Sequence, residues 1–189
     1  MLRAIARDMP ISRFLALLGL MVFALLARAD NIEVRAAAIS LGEEAYALDA
    51  DFDISLTSTL EDILAKGVPL NFLLEVEVIR PRWYWFNDKV AQVAQPYKLS
   101  YNSLTRQYRV SLGTLYQNFA TLAEAVRFFS SVRNLPVAER SALQPGNAYQ
   151  AAVRMRLDVS QLPKPFQITA FGSREWNLSS DWHRFAVMP

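Results

Sequence analysis

The feature that most constrains this chain is a strict alternation of apolar and polar side chains. From Tyr46 to Leu56 every second residue is apolar, and Asp49, Asp51 and Asp53 lie between the apolar positions. Successive residues of a β-strand point to opposite faces of the sheet. The pattern therefore predicts one long strand with a buried face and an acidic, solvated face.

The same alternation recurs in two later segments. Phe72 to Val78 carries Glu75 and Glu77 on the polar side, and Val153 to Val159 carries Arg154, Arg156 and Asp158. Both acidic stripes, Asp49–Asp53 and Glu75–Glu77, are expected to pair across strands with Arg154 and Arg156, at about 0.2–1 kcal/mol for each exposed pair. Residues 97–101 and 108–112 predict the two arms of a hairpin around a turn at Asn102–Arg106.

Two capping-box motifs predict short helices. Ser58-x-x-Glu61 begins the first, which directs Leu60, Ile63 and Leu64 inward and ends at Gly67 and Pro69. Thr121-x-x-Glu124 begins the second, with Pro136 beyond its end. Its inward residues follow helical spacing: Leu122, Ala125, Val126, Phe129 and Val132.

Several strands with one solvated face each favour two packed antiparallel sheets. We predict a mostly-β, two-layer sandwich of immunoglobulin-like type, in which the first helix connects the two sheets. An open α+β sheet with both helices on one face is the alternative. The absence of linkers, repeats and long charge runs predicts a single domain over residues 30–189.

The first residues of the chain have the organisation of a signal peptide. Arg3, Arg7 and Arg13 precede the apolar run Phe14–Leu26. The small residues Ala27 and Ala29 then lie at positions −3 and −1 relative to cleavage before Asp30. We expect a signal-peptide helix within residues 1–29, cleavage after Ala29 and location in the periplasm. The alternative is an anchor in the inner membrane, for which the apolar run is shorter than the roughly 20 residues of a spanning helix.

Removal of residues 1–29 would change the charge balance of the chain. The full sequence has 20 basic and 18 acidic side chains, of which four arginines and one aspartate lie in that segment. The mature part therefore keeps 16 basic against 17 acidic groups. Without a basic excess to neutralise phosphates, we expect no binding of nucleic acid, and membrane contact only through the signal peptide.

The residue types for several chemistries are missing or badly spaced. The chain contains no cysteine and one histidine, His183, so thiol chemistry is excluded and a zinc site would need three carboxylates. The Asp49–Asp53 series has Ile54 and Leu60 where a calcium loop needs Gly and Glu. No G-x-S-x-G motif accompanies His183. The sequence predicts no catalytic residue, metal or cofactor.

The segment Arg80–Phe86 (RPRWYWF) is the most unusual in the chain. Four consecutive aromatic residues cannot all face one core, because neighbouring strand residues point in opposite directions. One interpretation is that these rings fill the core and pack at a sheet edge. The other is an exposed platform of aromatic and arginine side chains that binds a partner. Its candidate residues are Arg80, Arg82, Trp83, Trp85, Trp176 and Trp182.

The chain resembles a known family through four segments: RPRWYWFNDKV (80–90), YKLSYNSLTRQYRVSLG (97–113), LPKPFQ (162–167) and REWNLSSDWHRF (174–185). They resemble exported Gram-negative bacterial proteins catalogued as domain of unknown function 4390, with the helix TLAEAVRFF in the expected place. The resemblance implies an exported protein with no catalytic residues to carry over. It also suggests genes beside a membrane sensor histidine kinase.

These observations together predict a non-enzymatic periplasmic protein-interaction module. Its expected partner is another envelope protein, and the resemblance suggests the periplasmic region of a sensor kinase. The first alternative is a binder or hydrolase of cell-wall glycan. The second is a structural or chaperone-like envelope factor that pairs through an open sheet edge.

Overall fold

The structure, a computed structural model, describes residues 32–82, 84, 88–170 and 172–189. The predicted signal peptide and three residues of the aromatic segment, Trp83, Trp85 and Phe86, lie outside the described residues. In chain order the strands and α-helices are β1 (Ile32–Leu41), β2 (Ala45–Ile54), α1 (Ser58–Ala65), β3 (Leu70–Arg80), β4 (Asp88–Asn102), β5 (Gln107–Leu112), β6 (Leu115–Phe119), α2 (Leu122–Ser130), β7 (Ser131–Glu139), β8 (Tyr149–Leu157), α3 (Lys164–Ala170) and β9 (His183–Val187). Short 3-10 helices cover Arg140–Ala142, Val159–Gln161 and Arg174–Trp176.

The strands form two antiparallel sheets. One has three strands in the order β1-β2-β7, and the other has six in the order β6-β5-β4-β3-β8-β9. Buried residues of both sheets belong to a single hydrophobic cluster. The prediction of a mostly-β domain with two antiparallel sheets is confirmed. The division into three and six strands differs from the four and three of an immunoglobulin constant domain, so the likeness is limited to the packing of antiparallel sheets.

The alternating segments form strands with the predicted faces, but β2 ends at Ile54 and β8 at Leu157, before the predicted Leu56 and Val159. In β2 the buried residues are Tyr46, Leu48, Ala50, Phe52 and Ile54, joined by Ala47. In β3 alternate residues from Leu70 to Val78 are buried, and in β8 alternate residues from Tyr149 to Leu157. We call the face of the six-stranded sheet that carries these buried side chains its inner face, and the face that carries Glu75 and Glu77 its outer face. The alternation thus decided which side of each strand meets the core.

The predicted hairpin is also confirmed. Strands β4 and β5 pair so that Tyr101 lies opposite Tyr108. The carboxamide oxygen of Asn102 accepts hydrogen bonds from the backbone N–H groups of Leu104, at 3.0 Å, and Thr105, at 3.3 Å. Arg106 takes a positive φ of 54°, which closes the turn.

The helices differ from prediction in their ends. The N-cap of α1 is Thr57, whose Oγ accepts from the Leu60 N–H at 3.2 Å, so the predicted cap at Ser58 is wrong by one residue. Gly67, at φ 88°, ends α1 as expected. The capping box of Thr121 and Glu124 at the start of α2 is confirmed.

Two further features of the helices were not predicted. Val132 does not continue α2; it lies in β7, opposite Ala50 of β2. The third helix, α3, escaped sequence analysis because only Ala170 of it is buried and its first turn contains Pro165, a residue that usually indicates a loop. Within the described part of the chain, no helix combines the length and the apolar character that crossing a membrane requires.

The two helices with buried faces fill the core beside the sheets. Leu60, Ile63 and Leu64 of α1 are buried, as predicted. In α2 the ring of Phe129 lies 4.9 Å from that of Phe72, and it stacks on Tyr97 at 5.9 Å. These contacts join α2 to the inner face of the six-stranded sheet, so α2 does not cover the outer face.

Candidate functional site

The two arginines of the aromatic segment are held at the tip of the β3–β4 hairpin. A guanidinium nitrogen of Arg80 lies 2.7 Å from the Oδ2 atom of Asp88, and one of Arg82 lies 2.8 Å from the same atom. The hydrogen bond from Arg80 holds the pKa of Asp88 below its ordinary value, and the charge of Arg82 acts in the same direction. Between them and Asp88, Tyr84 is 65% exposed. The described residues of the hairpin tip therefore present two arginines paired with one aspartate, beside an exposed tyrosine.

The two later tryptophans of the candidate set have different environments. Trp176 is only 4% exposed, and its ring packs 5.8 Å from that of Phe166. It is thus a core residue and offers no ring surface to a partner. Trp182 is half-buried and lies just before β9.

Trp182 lines a cleft of about 360 Å³ on the outer face of the six-stranded sheet. We call it the outer-face cleft; its lining residues are Glu77, Ile79, Gln150, Ala152, Trp182 and Arg184. The strand register brings them together, because Ala152 lies opposite Glu77 on one side and Arg184 on the other. Gln150 lies opposite Ile79 in the same way. Ile79 immediately precedes Arg80, so the cleft adjoins the start of the hairpin tip.

The tryptophan ring of the cleft is held by a cation. The guanidinium carbon of Arg154 lies 4.4 Å from the ring centroid of Trp182. Arg154 also donates to Glu75 at 2.5 Å, and Arg156 donates to the same carboxylate at 3.1 Å. The predicted pairing of Glu75 with these two arginines is confirmed.

The two arginines change the pKa of Glu75. Its partial burial raises the pKa, but the hydrogen bonds from Arg154 and Arg156 outweigh that effect and bring the pKa below its ordinary value. Glu75 is therefore ionised at neutral pH, and it fixes the guanidinium group that packs on Trp182.

The two charged residues that line the cleft, Glu77 and Arg184, differ in whether they have an ionic partner. The carboxylate of Glu77 accepts from Lys89 at 2.8 Å, and Lys89 also bonds to Gln92. Arg184 is exposed, and none of the carboxylates that the structure describes lies within 4.0 Å of it. The cleft thus combines an apolar ring with one cation that has no ionic partner in the described chain.

A second cleft shares the wall formed by Trp182. It has a volume of about 480 Å³ and lies between the start of β1 and the segment before β9; its lining residues are Ile32, Glu33, Val34, Ser179, Ser180, Asp181, Trp182 and His183. His183 is half-buried, with its ring 6.0 Å from that of Phe185. Trp182 is thus the residue that the two clefts share.

The acidic stripe of β2 belongs to another surface. Asp51 accepts from Arg133 at 2.7 Å, and Asp53 pairs with Arg35, so these acids pair within the three-stranded sheet rather than with the arginines of β8. The expectation that they pair with Arg154 and Arg156 is wrong, because β2 and β8 lie in different sheets. Among the described residues, no group of three His, Cys, Asp or Glu is arranged to hold a metal ion.

Sequence reasoning found only part of the cleft. Trp182 was a candidate, and Glu77 was assigned to a solvated face. Gln150 and Ala152 carry no chemical signal of their own, and only the pairing of β3 with β8 places them beside Trp182. Cross-strand neighbours far apart in sequence are visible only once the register is known.

Comparison with known proteins identifies the family. The family model described as Domain of unknown function (DUF4390) matches residues 29–186. Neither a curated protein nor a solved structure gives a significant match. The matched range covers the β1–β9 region almost to its end, and it agrees with the resemblance seen in the four sequence segments. The chain therefore belongs to the family described as Domain of unknown function (DUF4390).

Proposed function

We propose that this chain is a non-enzymatic protein-interaction module of the periplasm, which binds another envelope protein through the outer-face cleft. The observation that carries the proposal is that Trp182, with Arg154 stacked on its ring, lines the same cleft as Arg184, which has no ionic partner among the described residues. Tryptophan and arginine are enriched in the residues that dominate binding at protein interfaces.

The cleft is pre-organised for such binding. Trp182 is held by the stacked guanidinium of Arg154, which Glu75 fixes in turn. A side chain that is already ordered loses little conformational entropy when a partner covers it. The affinity of the cleft is therefore not reduced by the cost of ordering its central ring.

The chemistry of the cleft specifies what a partner should present. An apolar side chain would pack against Trp182 and Ile79, and a carboxylate would pair with Arg184. Arginine and carboxylate groups form strong, often bidentate hydrogen bonds. We expect an acidic partner surface with one apolar residue beside the acid.

The location and the partner class rest on the sequence. The basic, apolar and small-residue segments of residues 1–29 support export. The family resemblance supports the periplasmic region of a membrane sensor histidine kinase as the partner to test first. A partner in the same compartment is required for the cleft to act as proposed.

Site-specific photo-crosslinking in intact cells tests the proposal. A photoreactive amino acid at Ala152, inside the cleft, should form an adduct with an envelope protein. The same group at Leu104, which is 94% exposed in the β4–β5 turn, is the matched control and should not. Equal adducts at both positions would mean that the cleft has no special role.

A second variant separates binding from folding. Trp182→Ala should weaken the interaction by about 2 kcal/mol, roughly thirty-fold in affinity, as expected for a central interface residue. Near-ultraviolet circular dichroism of the purified variant should show the fold retained, since Trp182 is only half-buried. Retention of the adduct in Trp182→Ala would remove Trp182 from the proposal.

A specific feature also favours a second candidate function, the binding of cell-wall glycan. The amide of Gln150 and the carboxylate of Glu77 lie beside the indole of Trp182, a combination that suits a sugar with an apolar face and polar hydroxyls. Titration with soluble cell-wall fragments should then change the tryptophan fluorescence. No change at millimolar fragment concentration would exclude this function.

A further inference from the structure

One strand of the six-stranded sheet, β6, has an unpaired edge. Within the described chain β6 pairs with β5 and with no other strand. Leu115, Tyr116, Gln117 and Asn118 are all exposed, Leu115 to 73% and Tyr116 to 63%. Helix α2 packs on the inner face of this hairpin, where Phe128 lies 5.3 Å from Phe119, and leaves Leu115 to Asn118 open to solvent.

The edge of β6 lacks the features that protect edges elsewhere in the fold. Natural edge strands avoid pairing with other chains by means of charges, prolines and bulges. The other outer strands carry such groups: Glu33 and Arg35 with a register shift in β1, Arg133 and Pro136 in β7, and Arg184 in β9. The sequence of β6, LYQNF, has no charge and no proline, and its register with β5 is continuous.

The register shows which backbone groups of β6 point outward. Leu112 lies opposite Leu115 across a two-residue turn, and such a closing pair is hydrogen-bonded. Hydrogen-bonded and non-hydrogen-bonded pairs alternate along an antiparallel ladder. The N–H and C=O groups of Leu115, Gln117 and Phe119 therefore bond to β5. Those of Tyr116 and Asn118 point away from the sheet.

We propose that β6 pairs in antiparallel fashion with β6 of a second copy of this chain. The two-fold axis that relates the copies passes between their Gln117 residues. In this register Tyr116 lies opposite Asn118 of the other copy, so the outward groups of both residues form four backbone hydrogen bonds. Gln117 faces its own equivalent as a non-hydrogen-bonded pair. The two six-stranded sheets then continue into each other.

The lack of charge on β6 suits pairing with a second copy of the same strand. A two-fold interface places each residue near its own equivalent, so a charged strand would repel itself. Strand β6 is uncharged, and the nearest cation, Arg109 of β5, is bonded to Asn118 at 2.9 Å and stacked over Tyr116 at 4.5 Å. The Cα atoms of the two copies of Arg109 would be separated by three strand spacings, about 14 Å, while each guanidinium stays bonded within its own chain.

The apolar residues at the edge also fit the proposed pairing. Leu115 and Phe119 share the inner face of β6, and in the proposed register each lies opposite the other across the axis. Phe128, 41% exposed, adjoins Phe119 from helix α2. The pairing therefore covers an apolar strip that is otherwise exposed. With five residues a side, against the roughly 20–30 of a standard interface, the dimer should be weak and concentration-dependent.

This inference goes beyond the proposed function and concerns the opposite edge of the sheet. The outer-face cleft lies on β3, β8, β9 and the segment leading into β9, whereas β6 is the strand at the other end of the strand order. A dimer through β6 would leave both clefts open.

Disulfide trapping tests the pairing directly, because the chain has no native cysteine. Cα atoms of a non-hydrogen-bonded pair lie about 4.5 Å apart, within the range that a disulfide spans. Protein purified from cells that express the full chain with Gln117→Cys should form a disulfide dimer under mild oxidation. Gln107→Cys, on β5 and also exposed but away from the edge, is the matched control. Because only the residue on the axis approaches its own equivalent so closely, trapping at Gln117 should be at least about tenfold faster than at Gln107.

Charge variants at the same position give an independent readout by sedimentation. Gln117→Lys and Gln117→Glu should each be monomeric at concentrations where the unmodified protein dimerises, and an equimolar mixture should recover the dimer. Equal trapping at Gln117 and Gln107, a monomer at every concentration, or cross-links from Gln117→Cys to other proteins only, would overturn the proposal. Each of these outcomes leaves the photo-crosslinking result at Ala152 unaffected.

Discussion

Strands β8 and β6 lie in the same sheet but have opposite environments. In β8, alternate residues from Tyr149 to Leu157 are buried, whereas in β6 Leu115 to Asn118 are exposed on both faces. Both belong to antiparallel ladders. The difference is that β8 has a packed layer over its inner face, while β6 extends beyond most of that layer. A strand's alternation thus decides which side can be buried, and the opposing layer decides whether it is.

The largest expected effect comes from truncating one apolar side chain in the covered part of the sheet and one in β6. Phe72→Ala, in β3 beside β8, should lower the free energy of unfolding by about 3–5 kcal/mol, because Phe72 is fully buried against Phe129. Leu115→Ala should change it by less than about 0.5 kcal/mol. Urea unfolding measures both values. Similar costs for the two variants would show that β6 is covered in solution.

A smaller effect is expected from the two arginines that stack on outer-face aromatic rings. Arg154→Ala removes both the contact with Trp182 and a hydrogen bond to Glu75, and should cost about 1–3 kcal/mol. Arg109→Ala removes the exposed stacking on Tyr116 and the exposed hydrogen bond to Asn118, and should cost about 0.5–1 kcal/mol. The same unfolding measurement ranks them. If Arg109→Ala proved the costlier, the view of β6 as the weakly held end of the sheet would be incorrect.

The smallest effect concerns pH. Because the pKa of Glu75 is lowered in the folded state, its stabilising contribution is complete above the ordinary value near 4.5 and is lost as pH falls through the lowered value. Glu75→Gln should therefore cost about 1 kcal/mol at pH 7 and progressively less below about pH 4. Urea unfolding at several pH values measures the difference. Leu115→Ala, which removes no ionisable group, is the control and should show a constant difference from the unmodified protein.

Local patterns predicted much of the fold. Alternation located β2, β3 and β8 and their buried faces, and the turn sequence located the β4–β5 hairpin. The capping box at Thr121 gave the start of α2 because side chain and backbone satisfy each other within four residues. Each of these depends on neighbours in sequence.

Other elements depended on partners distant in sequence. Thr57 rather than Ser58 caps α1, and its hydroxyl also donates to the backbone oxygen of Glu175 at 3.0 Å, a contact that no local pattern reveals. The rings of Trp176 and Trp182 have similar neighbours in sequence, yet one lies in the core and the other in the outer-face cleft. Their separate locations follow from packing against Phe166 and Arg154.

By itself the sequence determined the β class, the buried side of its alternating strands and the family to which the chain belongs. Only the tertiary structure decided the order of the strands, the gathering of Gln150 and Glu77 beside Trp182, and the open edge at β6. The physical reason is that side-chain alternation is set by the geometry of one strand. Register and coverage depend on the packing of segments that are many residues apart.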